Sequence, residues 1–196
     1  YDKFYRTKRI KNCSKIGISI NQLDNIDVVK NLCLDLRKCL KNCELVVRPH
    51  PNMIDWNRGW FESENIEYSE ASTVSSDDYL KSLKLQISNV SGIHLDAAMM
   101  NVPTVLYQLS KQRVIDHYGY LVSGLIKEAI SFADLLNHIK YPNGLVSNDE
   151  TIQYYVASVG TSIEGKVGEF TANYIRSILN IHGEFECDTD LSIFEF

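Results

Sequence analysis

The sequence predicts an α/β protein built on a doubly wound, mostly parallel sheet with helices at its carboxyl-terminal end. Two observations lead to this fold class. Short apolar runs of strand length alternate with amphipathic stretches of helix length up to residue 110, and this alternation is typical of parallel strands joined by right-handed crossovers. One of the runs, residues 45–47, is apolar at every position, as expected for a strand buried on both faces.

The first predicted unit is a strand, a helix and a second strand. Residues 15–20 form the first strand, and residues 24–41 form an amphipathic helix that Asp24 is placed to cap. Residues 45–47 form the second strand. The pattern of residues 53–63 predicts no regular element, although its aromatic residues suit a cover for the sheet edge.

The alternation continues to residue 107 and then loosens. We predict a third strand at 66–68, a helix at 77–84, a fourth strand at 85–88, a helix at 92–101 capped by Ser91, and a fifth strand at 102–107. Beyond it we predict a polar and aromatic loop at 108–120, a short helix at 131–139, and a helical pair over 149–180 that breaks near Gly160. The apolar stripe of the last helix indicates a packing face.

These elements divide the chain into segments. Residues 1–14 form a basic lead-in or linker, residues 15–148 the α/β domain, residues 149–182 the carboxyl-terminal helices, and residues 183–196 an acidic tail. We expect the helices to pack on the domain or on a part of the protein that lies outside this sequence.

The composition narrows the classes of function. The chain has 196 residues, of which 44% are hydrophobic and 23% charged, which is typical of a globular protein with one core. A net charge of −5 argues against a nucleic-acid partner. No apolar run reaches membrane-span length and no signal pattern opens the chain, which favours a cytoplasmic location. The five cysteines lack a Cys-x-x-Cys pair, so we predict neither a disulfide scaffold nor a metal site.

Several familiar motifs are absent. The sequence lacks Gly-x-Gly-x-x-Gly after the first strand, the P-loop pattern Gly-x-x-x-x-Gly-Lys-Ser/Thr, and the nucleophile elbow Gly-x-Ser-x-Gly. Their absence disfavours an NAD-type dehydrogenase, a P-loop enzyme and a serine hydrolase of the elbow type. No cofactor is predicted.

Polar residues follow three of the predicted strands at the edge where open parallel sheets bind ligands. Because the carboxyl ends of parallel strands meet at one edge, we expect these side chains to converge. They are Asn21 after the first strand, Arg48 and His50 after the second, and Ser88, Asn89, Ser91 and Gly92 after the fourth.

The stretch Arg48-Pro49-His50-Pro51 contains two of the chain's four prolines. Prolines stiffen the backbone, so this stretch presents a permanently charged guanidinium and an imidazole that ionises near neutral pH with little remaining freedom. This arrangement suits a ligand. The alternative is that the histidine and prolines only end the strand.

Ser91 and Gly92 open a predicted helix. The amide groups and dipole at a helix start favour an anion such as phosphate, and glycine allows close backbone approach. The alternative is that Ser91 is an ordinary N-cap that needs no ligand.

Two motifs together resemble a known family. "VVRPHP" at residues 46–51 and "ISNVSGIHLDAAMMNVPTVLY" at residues 87–107 resemble the carboxy-terminal, donor-nucleotide half of GT-B transferases that build bacterial capsules and teichoic acids. Within that group the chain is similar to CDP-glycerol glycerophosphotransferases and to capsule sialyl- and Kdo-transferases. UDP-GlcNAc 2-epimerase shares the same architecture. The resemblance covers about residues 15–110 and implies a Rossmann-like fold.

The resemblance implies roles for particular residues. His50 matches the motif histidine that contacts the nucleotide and is the one catalytic candidate, and Ser91 matches the first serine of a phosphate-binding pair. Asp96 matches an acidic residue one helical turn later, which orients ribose or fixes His94 or another neighbour. The chain departs from the pattern at Gly92, where a second serine would stand, and at Asn89, where Asp is more usual.

The resemblance also implies a substrate and partners. The substrate would be a CMP-, CDP- or UDP-linked donor, with no separate cofactor. The acceptor site would lie on an amino-terminal domain preceding Tyr1, so this chain alone is expected to be inactive, and the full protein is expected at the inner face of the membrane. Two alternatives remain open, an isomerase resembling UDP-GlcNAc 2-epimerase and a non-catalytic nucleotide-binding module.

Overall fold

The computed structural model describes residues 14–179, apart from residues 42, 157, 159, 160 and 164. The predicted basic lead-in apart from Ser14, the acidic tail, and Gly160 at the predicted helix break therefore lie outside the described residues. The strands are β1 (Lys15–Ile20), β2 (Leu45–Pro49), β3 (Glu67–Tyr68), β4 (Leu83–Ser88), β5 (Thr104–Tyr107) and β6 (Lys127–Ala129). The helices are α1 (Ile26–Cys39), α2 (Arg58–Ser63), α3 (Ser76–Lys81), α4 (Ile93–Met99), α5 (Phe132–Lys140), α6 (Asp149–Tyr155) and α7 (Val167–Ile178), with a 3-10 turn at Pro142–Leu145.

The six strands form one sheet in the order β3-β2-β1-β4-β5-β6, and every pair is parallel. This order confirms the predicted doubly wound, Rossmann-like fold. The chain winds outward in one direction from β1 to β3 and in the other from β4 to β6. The two directions separate between β1 and β4, and the carboxyl ends of these two strands flank the crevice described below.

Helices cover both faces of the sheet. On one face, α1, α2 and α5 enclose the largest apolar core, which includes Ile18, Val47 and Ile87, each 0% exposed. On the other face, α3 and α4 pack on β2 and β4 through a smaller core that includes Tyr79 and Leu80. A third cluster joins α4 to α6, where Ile152 is fully buried.

Gly17 in β1 lies where α3 approaches the sheet. A β carbon at this position would lie 2.5 Å from the Tyr79 hydroxyl and 2.8 Å from Gln86 Oε1. The Tyr79 hydroxyl donates to Gln86 Oε1 at 3.0 Å and accepts from Ser19 Oγ at 3.3 Å. The glycine thus leaves room for a buried polar group within the sheet-helix interface.

The first helix starts later than predicted. Asn25, not Asp24, is the N-cap of α1, and its side chain accepts from the backbone N–H groups of Asp27 and Val28. Asp24 is engaged elsewhere, because its carboxylate accepts from Asn21 N at 2.8 Å and from Asn89 Nδ2 at 3.0 Å. The carboxylate therefore ties two loops together instead of starting the helix.

The second strand is longer than predicted and includes Arg48 and Pro49. Proline is tolerated there because β3 pairs only with Val46 and Val47, so the side of Pro49 that faces β3 needs no backbone donor. On the other side, His50 N donates to Ile20 O at 2.8 Å and continues the ladder. The strand thus ends at the histidine.

Other boundaries also differ. The helix predicted to end at residue 84 ends at Lys81, and β4 begins at Leu83, which is 1% exposed and pairs with Lys15. α4 ends at Met99 because Asn101 adopts a left-handed φ of 55°. The two short elements α2 and β6 had not been predicted. α7 has no fully buried residue, and of its apolar stripe Val167 and Phe170 are half-buried.

Candidate functional site

A crevice of about 320 Å³ lies at the carboxyl edge of the sheet, over the ends of β1, β2 and β4. We call it the switch-point crevice. All the predicted site residues line it except Ser88 and Asn89. Its lining consists of Ser19, Ile20, Asn21, Arg48, Pro49, His50, Pro51, Ser76, Ser91, Gly92, Ile93, Asp96 and Tyr118.

His50 is exposed at the crevice, and its ring has a defined hydrogen-bonding pattern. Asn52 N donates to His50 Nδ1 at 3.2 Å. Nδ1 is therefore an acceptor, so the neutral ring carries its proton on Nε2. No described residue bonds to Nε2, which leaves this N–H available to a ligand.

Arg48 lines the same crevice but is only 6% exposed. Its guanidinium donates to Ser69 Oγ at 3.0 Å and to Val74 O at 2.9 Å, and it lies 5.2 Å from the centre of the Tyr79 ring. Burial lowers the pKa of Arg48, against the opposing effects of Tyr79 and Glu70. These bonds hold the loop between β3 and α3, so Arg48 is in large part a structural residue.

Ser88 and Asn89 are buried and lie beneath the crevice lining. Ser88 Oγ donates to Ser19 O at 2.9 Å and joins β4 to β1. Asn89 Nδ2 donates to Asp24 Oδ1 at 3.0 Å and to Ser110 Oγ at 3.1 Å. Both side chains make their hydrogen bonds within the protein and position the loop that carries Ser91.

Ser91 and Gly92 form the start of α4, although not as predicted. Gly92 occupies the N-cap position with φ −58° and ψ −24°, and Ser91 Oγ is 3.5 Å from Ile93 N, too long for a strong cap. A β carbon at Gly92 would meet no atom within 4 Å. The space above this backbone is therefore open.

Asp96 is half-buried in the crevice and differs from the other polar residues. Among the described residues, none makes a hydrogen bond or ion pair with its carboxylate. Burial, together with the charge of Asp77, raises the pKa of Asp96 to about 6. A carboxylate in this setting is destabilising unless a ligand supplies donors.

Asp96 does not hold His94, which was one of the predicted alternatives. His94 is fully buried, with Nδ1 2.6 Å from Thr104 Oγ1 and Nε2 3.0 Å from Asn89 O. Burial lowers the pKa of His94 to about 4. This histidine therefore stays neutral and joins α4 to β5.

Tyr118 and Ser76 line the crevice but were not predicted from the sequence. Ser76 begins α3, and Tyr118 belongs to the long loop after β5. No motif marks either residue, and the reach of a long loop cannot be read from its composition.

The described residues contain no group of three or more His, Cys, Asp or Glu side chains placed to hold a metal ion. No described helix is long and apolar enough to span a membrane.

The sequence matches no family model and no curated protein. Its fold is similar to solved structures of low sequence identity. The UDP complex of S. aureus MnaA is 17% identical with a TM-score of 0.52, over 91% of this chain and 48% of that one. UDP-GlcNAc 2-epimerase from Neisseria meningitidis, bound to UDP-GlcNAc, is 16% identical with a TM-score of 0.53, over 84% and 45%.

A third similar structure is the spinosyn rhamnosyltransferase SpnG with thymidine diphosphate, 10% identical with a TM-score of 0.50, over 84% of this chain and 46% of that one. The chain spans about half the length of each of these proteins. At these identities the similarity concerns the fold alone. The chain thus has the Rossmann-like fold found in GT-B glycosyltransferases and in UDP-GlcNAc 2-epimerases, which confirms the resemblance at the level of the fold.

Proposed function

We propose that the chain is the donor-binding half of a GT-B glycosyltransferase or glycerophosphotransferase that makes capsule, teichoic-acid-like or other surface polysaccharide. Its substrate would be a CMP-, CDP- or UDP-linked donor. The observation that carries the proposal is the half-buried Asp96 carboxylate, which has no partner among the described residues and lines the same crevice as His50 and Ser91. The Asp96 carboxylate can only accept hydrogen bonds, whereas His50 and Ser91 can donate them. This combination suits a ligand whose hydroxyls donate and whose phosphate accepts.

Asp96 would bind the ribose hydroxyls. A carboxylate accepts hydrogen bonds from a vicinal diol, as in dinucleotide-binding domains where an acidic residue contacts the ribose. Its raised pKa indicates that it loses more hydration on folding than it regains from the protein. Two ribose hydroxyls would restore the missing donors.

Ser91, Gly92 and His50 would bind the phosphates. The backbone at Gly92 borders open space, and Ser91 and His50 line the same crevice, where His50 offers its Nε2–H. When the donor's bond to phosphate breaks, negative charge develops on the departing phosphate, and donors fixed in advance stabilise it. His50 is therefore the catalytic candidate, as a hydrogen-bond donor or, when protonated, as an acid.

A complete enzyme needs an acceptor site, which we assign to an amino-terminal domain of a longer protein. The length comparison supports this assignment, since the chain covers only 45–48% of the similar structures. In that protein, at the cytoplasmic face of the membrane, transfer would take place between the two domains. This chain alone would bind the donor without turning it over.

Calorimetric titration with CMP, CDP, UDP and GDP tests the proposal. Two or three charged hydrogen bonds of about 1.5–3 kcal/mol each are consistent with a dissociation constant near the micromolar range. At least one nucleotide should bind, and the diphosphates should bind more tightly than CMP. If none binds at millimolar concentration, the proposal is wrong.

Two other functions are tested by the same protein. The fold similarity to UDP-GlcNAc 2-epimerase favours an isomerase, which would consume UDP-GlcNAc without an acceptor. The glycine at position 92, in place of a serine, favours a non-catalytic nucleotide-binding module. That module would bind nucleotide and show no turnover even when the chain is joined to the rest of its full-length protein.

A further inference from the structure

A second cavity, of about 430 Å³, lies beside the switch-point crevice and is lined largely by aromatic and hydroxyl side chains. We call it the tyrosine pocket and define it by Tyr118, Ser123, Glu150, Thr151, Tyr154 and Tyr155. Its volume falls in the range of roughly 300–1,000 Å³ that is usual for small-molecule sites. The loop after β5 forms one wall and α6 forms the other.

The wall of the pocket is pre-organised. The Tyr155 hydroxyl lies 2.9 Å from Gly119 O and 2.8 Å from Ser123 Oγ, and it fixes the loop against α6. The Tyr155 ring meets the buried Tyr120 ring edge-on, with centroids 5.0 Å apart. Because these side chains are already ordered in the folded protein, ligand binding would lose little of their conformational entropy.

The exposed rings form a corner, not a slot. Tyr154 is 79% exposed, and its ring is 83° from that of Tyr155 with centroids 5.0 Å apart. Tyr118 is 44% exposed, with the Tyr120 ring stacked on it at 4.9 Å and the His117 ring tilted against it at 4.2 Å. A flat nucleobase would contact only one wall of such a corner. A puckered ring with C–H groups on both faces would contact two.

The polar groups of the pocket suit a polyol. Among the described residues, none bonds to the hydroxyls of Tyr118 and Tyr154 or to the carboxylate of Glu150. Two free phenolic groups and a carboxylate next to apolar ring faces are what a sugar needs, since its hydroxyls donate and accept around an apolar C–H surface.

Tyr118 connects this pocket to the crevice because it lines both cavities. Asp96 also lines the crevice, and the charge of Asp77 on α3 acts on it. If the nucleotide part of the donor occupies the crevice, Tyr118 is the point at which the rest of the donor can pass from the crevice into the tyrosine pocket. The tyrosine pocket then lies where the transferred group and the acceptor meet.

We infer that the tyrosine pocket is a carbohydrate subsite that binds a pyranose ring. The site follows from its own geometry, and its link to transfer rests on the proposed function. The pyranose comes either from the transferred group of the donor or from the acceptor. Both sources share the chemistry of the pocket.

Saturation-transfer NMR on the 196-residue chain tests this inference. The probes are the methyl glycosides of glucose, galactose and N-acetylglucosamine, with uridine and cytidine as nucleoside probes. We expect transfer to the ring protons of at least one pyranoside in the wild type. In Tyr154→Ala its dissociation constant should rise about three- to tenfold, because one ring contact is lost.

Tyr141→Ala is the matched control, because Tyr141 is also a largely exposed tyrosine, at 60%, and lies outside the pocket. It should leave the pyranoside signal unchanged. Glu150→Gln provides a second variant, which should weaken pyranoside binding without removing a ring. Both Tyr154 and Glu150 are exposed, so their replacement should not affect folding.

The outcomes separate clearly. If none of the pyranosides shows saturation transfer, the inference is wrong. It is also wrong if the transfer is equal in the wild type and in Tyr154→Ala. Loss of nucleoside signals alone in Tyr154→Ala would make the pocket a base site and would overturn it as well. This measurement contains no nucleotide, so it can fail while the nucleotide titration succeeds, and the reverse also holds.

Adding UDP-GlcNAc distinguishes the two sources. If the pocket holds the transferred group, the nucleotide sugar should displace the pyranoside while UDP does not. If the pocket holds the acceptor, the pyranoside signal should persist in the presence of either nucleotide. Both results support the carbohydrate subsite.

Discussion

Polar residues at the carboxyl edge of the sheet divide into two groups that look alike in the sequence. Arg48, Ser88 and Asn89 are buried, and each makes hydrogen bonds within the protein. His50 and Asp96, a few positions away, present to the crevice a ring N–H and a carboxylate that no described residue engages. We call the first the framework group and the second the open group. The first builds the edge, and the second is available to a ligand.

The difference teaches that burial at a binding edge is evidence about architecture, whereas an unmet hydrogen-bonding group is evidence about a ligand. Polar groups are rarely buried or half-buried without a partner, because each such group costs free energy of folding. A framework residue should therefore change stability when it is replaced. An open residue should change affinity, and one that is charged and half-buried should even oppose folding.

The largest expected effect is on stability, in Arg48→Ala. Removal of the Arg48 guanidinium leaves the buried Ser69 hydroxyl and the Val74 carbonyl without their donor and opens a gap beside Tyr79. We expect a loss of about 2–4 kcal/mol in the free energy of unfolding, measured by urea denaturation. Arg58→Ala is the control, since that partly exposed arginine pairs with the surface carboxylates of Asp55 and Glu62 and lies 5.4 Å from the centre of the Tyr68 ring, so its removal should cost much less stability than that of Arg48. An unchanged Arg48→Ala midpoint, with nucleotide binding lost, would move Arg48 to the open group.

Much of this architecture could be predicted from the sequence, for a physical reason. Strands buried on both faces must be apolar throughout, so residues 45–47 and the alternation around them indicate the sheet without long-range information. Boundaries were less predictable, because they depend on which of two adjacent groups finds a partner. Asp24 and Asn25 are both good caps, and Asn25 takes this role because Asp24 accepts from the nearby Asn21 N and from the distant Asn89 instead.

The site was predictable in outline only. The rule that parallel strands end at one edge brought the correct loops together, but it does not say which side chains are already engaged there. In the sequence, Arg48 and His50 look equally available to a ligand. In the structure, the guanidinium of Arg48 already donates to Ser69 and Val74. Tyr118 comes from a loop whose path depends on packing against α6, and no local pattern encodes that path.

The second prediction concerns Asp96→Asn, which should stabilise the fold. The pKa of Asp96 is raised from 3.8 to about 6, so the folded chain binds its proton more tightly than the unfolded chain does. Stability therefore falls as the pH rises through this interval, and at pH 7 the carboxylate costs about 1–3 kcal/mol that asparagine does not.

The pH dependence is the check on this interpretation. The gain of Asp96→Asn in the free energy of unfolding should be present at pH 7 and should disappear near pH 4. Asp27→Asn, at an exposed carboxylate in the first turn of α1, should show no such gain. At pH 7 Asp96→Asn should also weaken nucleoside binding. A variant that is destabilised at every pH would mean that Asp96 belongs to the framework group.

The third prediction is that His50→Ala weakens nucleotide binding by about 1–3 kcal/mol and leaves stability unchanged. The ring is exposed, and its only hydrogen bond within the described chain is the one it accepts from Asn52 N. His50→Gln should restore part of the affinity, because its amide also offers an N–H donor. His138→Ala, on α5 and outside the crevice, is the control for loss of an imidazole elsewhere and should bind like the wild type. Equal affinities for all these proteins would reduce the Arg-Pro-His-Pro stretch to the end of a strand.

The smallest expected effect tests the boundary between the two groups, at Gly92. Its φ of −58° is open to any residue and a β carbon there would meet nothing, so Gly92→Ser should fold without strain and gain about 0.4–1 kcal/mol in stability. Gly59→Ser is the matched control, since Gly59 also borders open space but lies outside the crevice. Both variants should therefore be at least as stable as the wild type, and only Gly92→Ser should bind a nucleoside diphosphate more tightly, by about 0.5–1.5 kcal/mol for one added hydrogen bond. Tighter binding would show that the backbone at Gly92 borders the phosphate, whereas weaker binding would mean that a ligand already fills the space where the glycine lacks a side chain.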